Sequence, residues 1–374
     1  MPAVKRCGLS AAFCTLVFLS LLSSFDVAHA QNVIRGVNFV HPLQFDAAEQ
    51  DADLALLKSA EAHVIRIGVE EDLDKNIDFM KRAYAQNIAT VLILHGKYAP
   101  NAPVRSYRAK EFPGMWAGPP FSSLDPEFSR QYFQQVMNKL DANGIVLAGL
   151  ELENEINMAG NNPDFRLPGE GKVLSLNDLY HDPEGQQVAK GYLQYMKKLA
   201  ALKQTRDQSK LNQHTPLLPT SLVDIVQEGP WPTPKQYDGV SVGATIAFFR
   251  ANGLDKLVDA YNLHTYPCGD GPGEKASAIH RLRRLQGLVN PVCSLGGKPC
   301  WITEWGFANN SKACPSEEEV RSLLVQEMMG DFRQLTQEKR ITGLLYYSWI
   351  GDQPYDVYLC GALTESGRLA IAPM

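Results

Sequence analysis

Short apolar runs alternate along the chain with longer stretches in which apolar positions recur at helical spacing. The runs fall at 33–39, 64–69, 89–95, 145–152, 258–264, 299–304 and 343–349, with a weaker one at 216–221. They are continuous rather than alternating, which marks strands covered on both faces and hence a parallel sheet. Between them, Phe128, Tyr132, Val136 and Leu140 share one face of a helix that Asn143-Gly144 should stop. Ser316-Glu317-Glu318-Glu319 reads as a capping box opening a helix that runs toward Thr336. Eight such strand–helix units predict an α/β fold of the closed (β/α)8 TIM-barrel type. An open doubly wound sheet would carry a glycine-rich phosphate turn after its first strand, and Gly36-Val37-Asn38-Phe39 is not one. With no internal repeat, low-complexity tract or linker, residues 31–374 are expected to form one domain.

The first thirty residues stand apart. Lys5 and Arg6, the apolar stretch 11–22 and Ala28-His29-Ala30 have the order of a signal peptide cleaved after Ala30. Export to the periplasm or the medium is therefore expected. Cys14 lies inside the apolar stretch, which argues against a lipoprotein anchor. Losing Lys5, Arg6 and Asp26 moves the formal charge from −5 only to −6. Such mild acidity argues against nucleic acid as the main partner. No later apolar run reaches spanning length, so no membrane contact is expected after cleavage, and a monomer is the simplest state. Cys268, Cys293, Cys300, Cys314 and Cys360 are an odd set whose spacing matches no zinc pattern. One or two disulfides are expected, with the pairing open.

The candidate chemistry sits where the runs end. Glu155 and Glu304 each follow an apolar run, at the end of a barrel strand where active sites are built. Two carboxylates suit glycosidic bond cleavage, one as proton donor and the other attacking or activating water. Arg66, His95, His264, Tyr266 and Trp349 occupy other strand ends. Asn154 adjoins Glu155, and neighbours on a strand face opposite ways. Both reach a cleft only where the strand has ended or bulged. The same alternation in Ile302-Thr303-Glu304-Trp305 would have Ile302 fill the barrel beneath Glu304. The loop at 96–125 carries Tyr98, Tyr107, Phe112, Trp116 and Phe121, which either stack on sugar rings or pack the loop down. Its Lys97, Arg105, Arg108 and Lys110 could meet an acidic polysaccharide, although a solvated loop face accounts for them as well. The loop at 157–183 is polar and glycine-rich, and Asn309 and Asn310 lie just past Glu304.

Asn154-Glu155 on the fourth strand, His264-Thr265-Tyr266 on the sixth, Glu304-Trp305-Gly306 on the seventh and Trp349 on the eighth resemble clan A of the glycoside hydrolases. The likeness is closest in character to families 5 and 39 and spans nearly all of residues 33–366. It implies retaining hydrolysis of O-glycosidic, β-type bonds in a polysaccharide or oligosaccharide, without cofactor or metal. It further implies Glu155 as acid/base and Glu304 as nucleophile. Asn154 would hold the sugar 2-hydroxyl, Arg66 and Tyr266 would hydrogen-bond Glu304, and His264 would line the site. Trp349 would be the sugar platform, and His95 and Trp305 complete the expected substrate-binding set. Ile156-Asn157 stands where the commonest family 5 pattern has proline, which weakens any cellulase-type specificity. Three other readings remain at this level: a transglycosylase, a non-catalytic carbohydrate-binding barrel, and a metal-dependent barrel using Glu151, Glu153 and Glu155. The last usually opens with His-x-His, and Asn38-Phe39-Val40-His41 offers one histidine.

Overall fold

A computed structural model describes residues 33–105, 115–225, 237–267, 278–293, 297–311 and 313–372. The leader at 1–30, Cys268, Tyr107, Phe112, Arg108 and Lys110 lie outside the described residues.

The apolar runs become strands of a parallel sheet: β1 (Ile34–Asn38), β2 (Val64–Gly68), β3 (Ala89–Leu94) and β4 (Gly149–Leu152). The fifth, β5, is split into Leu217–Leu218 and Leu222–Val223, followed by β6 (Tyr261–Thr265), β7 (Cys300–Trp305) and β8 (Ile341–Tyr346). The first half of β5 pairs with β4, the second half with β6, and β1 pairs with β8. The two ends of the sheet are thus one strand interrupted by Pro219, Thr220 and Ser221, so the sheet closes into a (β/α)8 barrel. Pro219 has no N–H to give a ladder, and the Thr220 N–H donates to the Tyr195 hydroxyl at 2.6 Å.

The barrel helices are α1 (Ala47–Ser59), α2 (Leu73–Ala85), α3 (Pro126–Ala142), α4 (Pro183–Asp207), α5 (Val242–Ala251), α6 (Ala278–Val289), α7 (Glu319–Gln337) and α8 (Glu365–Ile371). On α3 the buried face is Ser129, Phe133, Val136, Met137 and Leu140, rotated from the expected stripe, and Phe128 is 39 % exposed. Asn143 caps its end, with Gly144 at φ 70°. The expected capping box on α7 does not form. Glu318 is the N-cap, its side chain makes no cap bond, and its carboxylate goes to Arg321 and Ser366.

The barrel interior is two-tiered. The lower plug is Val91, Leu218, Ala260, Trp301 and Leu345. Trp301 fills it because Gly343 and Gly149 leave room: a Cβ there would lie 2.3 Å and 3.1 Å from the indole. The upper tier is polar and carries Asn38, Arg66, Glu151, Asn262, His264 and Thr303, all buried. On β7 the expectation about Ile302 is overturned. Ile302 packs in the main core, while Trp301 and Thr303 face inward. A register irregularity between Ile302 and Glu304 then brings Glu304 to the same interior as Thr303.

Two disulfides, Cys293–Cys300 and Cys314–Cys360, have Cα separations of 5.5 and 5.7 Å. The first ties the segment after α6 to the start of β7. The second ties the segment after β7 to the turn of a small hairpin, Tyr358–Leu359 with Ala362–Leu363.

Candidate active site

β4 ends at Leu152, and beyond it Glu153 and Glu155 both adopt left-handed backbone, with φ of 64° and 49°. Few non-glycine residues do so. The conformation allows Asn154 to bridge Ser221 while Glu155 still turns into the interior. The buried Asn157 holds the loop that follows: its amide donates to Val223 and Val240 carbonyls at 3.0 and 3.1 Å and accepts from Val223 N at 3.2 Å.

Arg66 organises the floor. Its Nε and Nη2 clasp both oxygens of Glu151 at 2.7 and 2.9 Å, and Nη1 reaches Glu304 Oε1 at 2.6 Å. It also donates to Asn38 Oδ1 at 2.8 Å and Asn154 Oδ1 at 2.9 Å. Burial alone would lower its pKa, but Glu151 and Glu304 outweigh burial and raise it. Because Glu151 is fully buried, Arg66→Met should strand an unpaired carboxylate and cost about 3–5 kcal/mol. Arg66→Lys keeps the charge but not the fork and should fall between. Denaturant midpoints measure this, and adding Glu151→Gln should recover part of the Arg66→Met loss.

Glu304 is fully engaged as an acceptor, with Arg66 on one oxygen and the Tyr266 hydroxyl on the other. His264 Nδ1 lies 2.8 Å from Glu155 Oε1 and 3.3 Å from Glu304 Oε2. The Thr303 hydroxyl donates to Asn262 Oδ1 at 2.7 Å, so it must accept at 3.1 Å from His264 Nε2–H. Burial, opposed by Glu304, lowers the His264 pKa to about 4. A neutral imidazole with its proton on Nε2 presents Nδ1 as an acceptor, which suits a protonated Glu155. Burial raises the Glu155 pKa to about 7, with Glu151 adding to the rise and Arg66 and the Asn161 amide opposing it.

Asn154 accepts on Oδ1 from both Arg66 and Ser221, which leaves its amide N–H groups for a ligand. Glu153 accepts from Lys198 and from Gly96 N at 2.7 Å, and it meets His95 Nδ1 at 2.9 Å. Burial would raise its pKa, but Lys198 and His95 prevail and lower it to about 2. A cleft of about 780 Å³ opens over this floor, lined among others by His95, Glu304, Asn154, Asn161, Trp116 and Tyr347.

Seven expected residues therefore gather at one end of the barrel: Glu155, Glu304, Asn154, Arg66, His95, His264 and Tyr266. Two do not. Trp305 is fully buried in the main core, edge-on to Phe332 and Tyr346. Trp349 is fully buried too, stacked 5.2 Å from Tyr358. The aromatic that closes β8 and lines the cleft is Tyr347, whose hydroxyl donates to Asp352 and whose ring meets Tyr266 edge-on at 5.9 Å. Sequence reading also missed Glu151 as the partner of Arg66, and Asn161. Continuing the inward alternation Gly343, Leu345 would have pointed to Tyr347.

Glu155, His264 and Glu304 each place a donor atom within 4.8 Å of the others. Arg66 and Tyr266 already occupy Glu304, and a guanidinium beside the same carboxylate opposes a metal cation.

Compared in sequence, the chain matches no family profile and no curated protein. Its fold is similar to solved structures. A fungal β-1,4-galactanase aligns with TM-score 0.56 at 14 % identity, covering 90 % of this chain and 98 % of the other. A broad-specificity GH5-4 endoglucanase from an uncultured bacterium gives 0.54 at 13 % identity, covering 92 % and 95 %. An endo-1,4-β-mannanase from Rhizomucor miehei gives 0.53 at 12 % identity, covering 91 % and 93 %. The chain thus shares the (β/α)8 fold of these glycosidases.

Proposed function

We propose that this protein is an exported, retaining glycoside hydrolase of clan A type that cleaves β-linked bonds in an oligosaccharide or polysaccharide. Glu304 attacks the anomeric carbon, and Glu155 protonates the leaving oxygen and then activates water. Asn154 donates to the sugar 2-hydroxyl. The observation that carries the reading is one pair of carboxylates in opposed environments. Glu304 can only accept, between Arg66 and Tyr266, while burial raises Glu155 to about 7 beside a neutral His264. Such divergence is how two carboxyl groups divide acid and nucleophile roles. Carboxylate oxygens of the two lie within 4.8 Å of one another. That separation suits retaining enzymes, whose carboxyl groups sit about 5–5.5 Å apart, better than inverting ones at about 6.5–9.5 Å. Tyr347 takes the platform role first expected of Trp349.

The test is a screen of the chain from Gln31 onward against β-1,4-galactan, β-glucans, β-mannan and bacterial exopolysaccharides, with Glu304→Ala alongside. Release of reducing ends by the wild type alone is the expected result. A chelator should leave that release unchanged, and its loss on chelation would favour metal chemistry at Glu155, His264 and Glu304. Binding without release would favour the non-catalytic barrel.

A further inference from the structure

The three described aromatics of the loop after β3 part company in the structure. Phe121 is buried and Tyr98 partly so, whereas Trp116 is 39 % exposed and lines the same cleft as Glu304 and Tyr347. The other described tryptophans, Trp301, Trp305 and Trp349, are at most 3 % exposed. We propose that Trp116 is a sugar platform remote from the scissile bond, and that the substrate is an uncharged chain of several sugars rather than a single terminal residue. This deepens the glycosidase reading and rests on it.

The indole is held in place before any ligand arrives. Trp116 N donates to Gly160 O at 3.0 Å, and its carbonyl accepts from Arg105 at 3.0 Å. Arg105 also donates to the carbonyls of Ala159 and Asn162 at 3.1 and 3.3 Å, which pins this loop to the one after β4. The ring leans on Tyr98 and Phe121 at centroid distances of 6.0 and 6.1 Å. Gly118 passes so close that a Cβ would lie 2.1 Å from the indole. A fixed, half-exposed aromatic in a cleft suits the apolar C–H face of a sugar, because ordering it costs little on binding. The cleft volume of about 780 Å³ lies toward the upper end of small-ligand sites, about 300–1,000 Å³, and holds more than one ring.

Charge on the wall selects among chains. Glu70, Glu153 and Glu304 face the cleft beside His41 and His95, while Arg66 is already paired with Glu151 and Glu304. Of the loop cations once considered for an acidic substrate, the two among the described residues are engaged: Lys97 lies over the Tyr132 ring and Arg105 is bound to carbonyls. With Arg66 shared between Glu151 and Glu304, and Glu153 held by Lys198, Glu70 leaves the wall net negative, and such like-charge juxtaposition disfavours a uronate.

The experiment compares wild type, Trp116→Ala and Trp116→Phe on β-1,4-linked gluco-, manno- and galacto-oligosaccharides from disaccharide to pentaose. Aryl monoglycosides and uronate oligosaccharides are run alongside, and tryptophan fluorescence in the Glu304→Gln background reads binding. The loss in Trp116→Ala should grow with chain length to about 10- to 30-fold in kcat/KM, carried by KM. Trp116→Phe should recover most of it, and the fluorescence change on binding should vanish with Trp116. A loss equal at every length, or none, overturns the platform, and a preference for uronate chains overturns the uncharged substrate. A wild type that neither cleaves nor binds any member overturns the glycosidase reading and the platform with it.

Discussion

Glu304→Ala is expected to lower turnover on any cleaved substrate by about 10⁴- to 10⁶-fold, the range for removing a nucleophile. The fold should survive. Without Glu304, Arg66 keeps its two-pronged contact with Glu151 and its bond to Asn38, so no buried charge is stranded. A circular dichroism melt close to wild type, together with lost activity, checks both halves. Azide, small enough to enter the vacated space, should restore turnover of an activated aryl glycoside and give the glycosyl azide of inverted configuration. Failure of that rescue would sink the nucleophile assignment.

Glu155→Ala should cost about 10²- to 10⁴-fold on substrates with poor leaving groups, as removal of a general acid does. It should cost far less on activated aryl glycosides, whose departure needs no proton. Equal losses on both would contradict the role. With a folded pKa of about 7 against about 4.3 when unfolded, Glu155 stays protonated to near neutrality. Proton donation therefore holds on the acid side, and kcat/KM should fall as pH rises through about 7. The same shift appears in stability. Between about pH 4.3 and 7 the native state binds a proton that the unfolded chain has released, so the contribution of Glu155 declines with rising pH. Glu155→Gln should gain up to about 4 kcal/mol over wild type at pH 8 and nothing at pH 4, as urea titrations at the two pH values would reveal.

The barrel was legible because strands buried on both faces are predominantly apolar rather than alternating, and the eight runs follow that pattern. The floor of the candidate site was legible where polar residues interrupt those runs: Arg66 between Ile65 and Ile67, and His264 after Leu263. Misreadings arose where a local pattern lost to a distant contact. The box at Ser316 failed because its hydroxyl donates to Glu318 and accepts from Asn309, and the helix opens only at Glu319. Ile302 was assigned to the interior because one irregularity in β7 shifts every later side chain. Trp349 was chosen by residue type, although β8 ends at Tyr346 and the next residue faces the cleft. Asn161 lies in a loop with no periodicity to betray it, and its contact with Glu155 exists only in three dimensions.

The clasp of Arg66 on Glu151 bears on the whole of the proposed reaction cycle. In the resting protein one buried guanidinium faces two carboxylates, so this cluster carries a net charge of −1. In the proposed mechanism that surplus would lie beneath the sugar ring that becomes cationic on the way to an oxocarbenium-like transition state. In the proposed double displacement, esterification of Glu304 would remove its charge and leave Arg66 with Glu151 as a neutral pair. The proposed covalent intermediate would therefore leave no orphaned buried cation, and its hydrolysis would return the surplus. Glu151, which touches no substrate atom in this scheme, keeps the site electrically tolerable in both of its states.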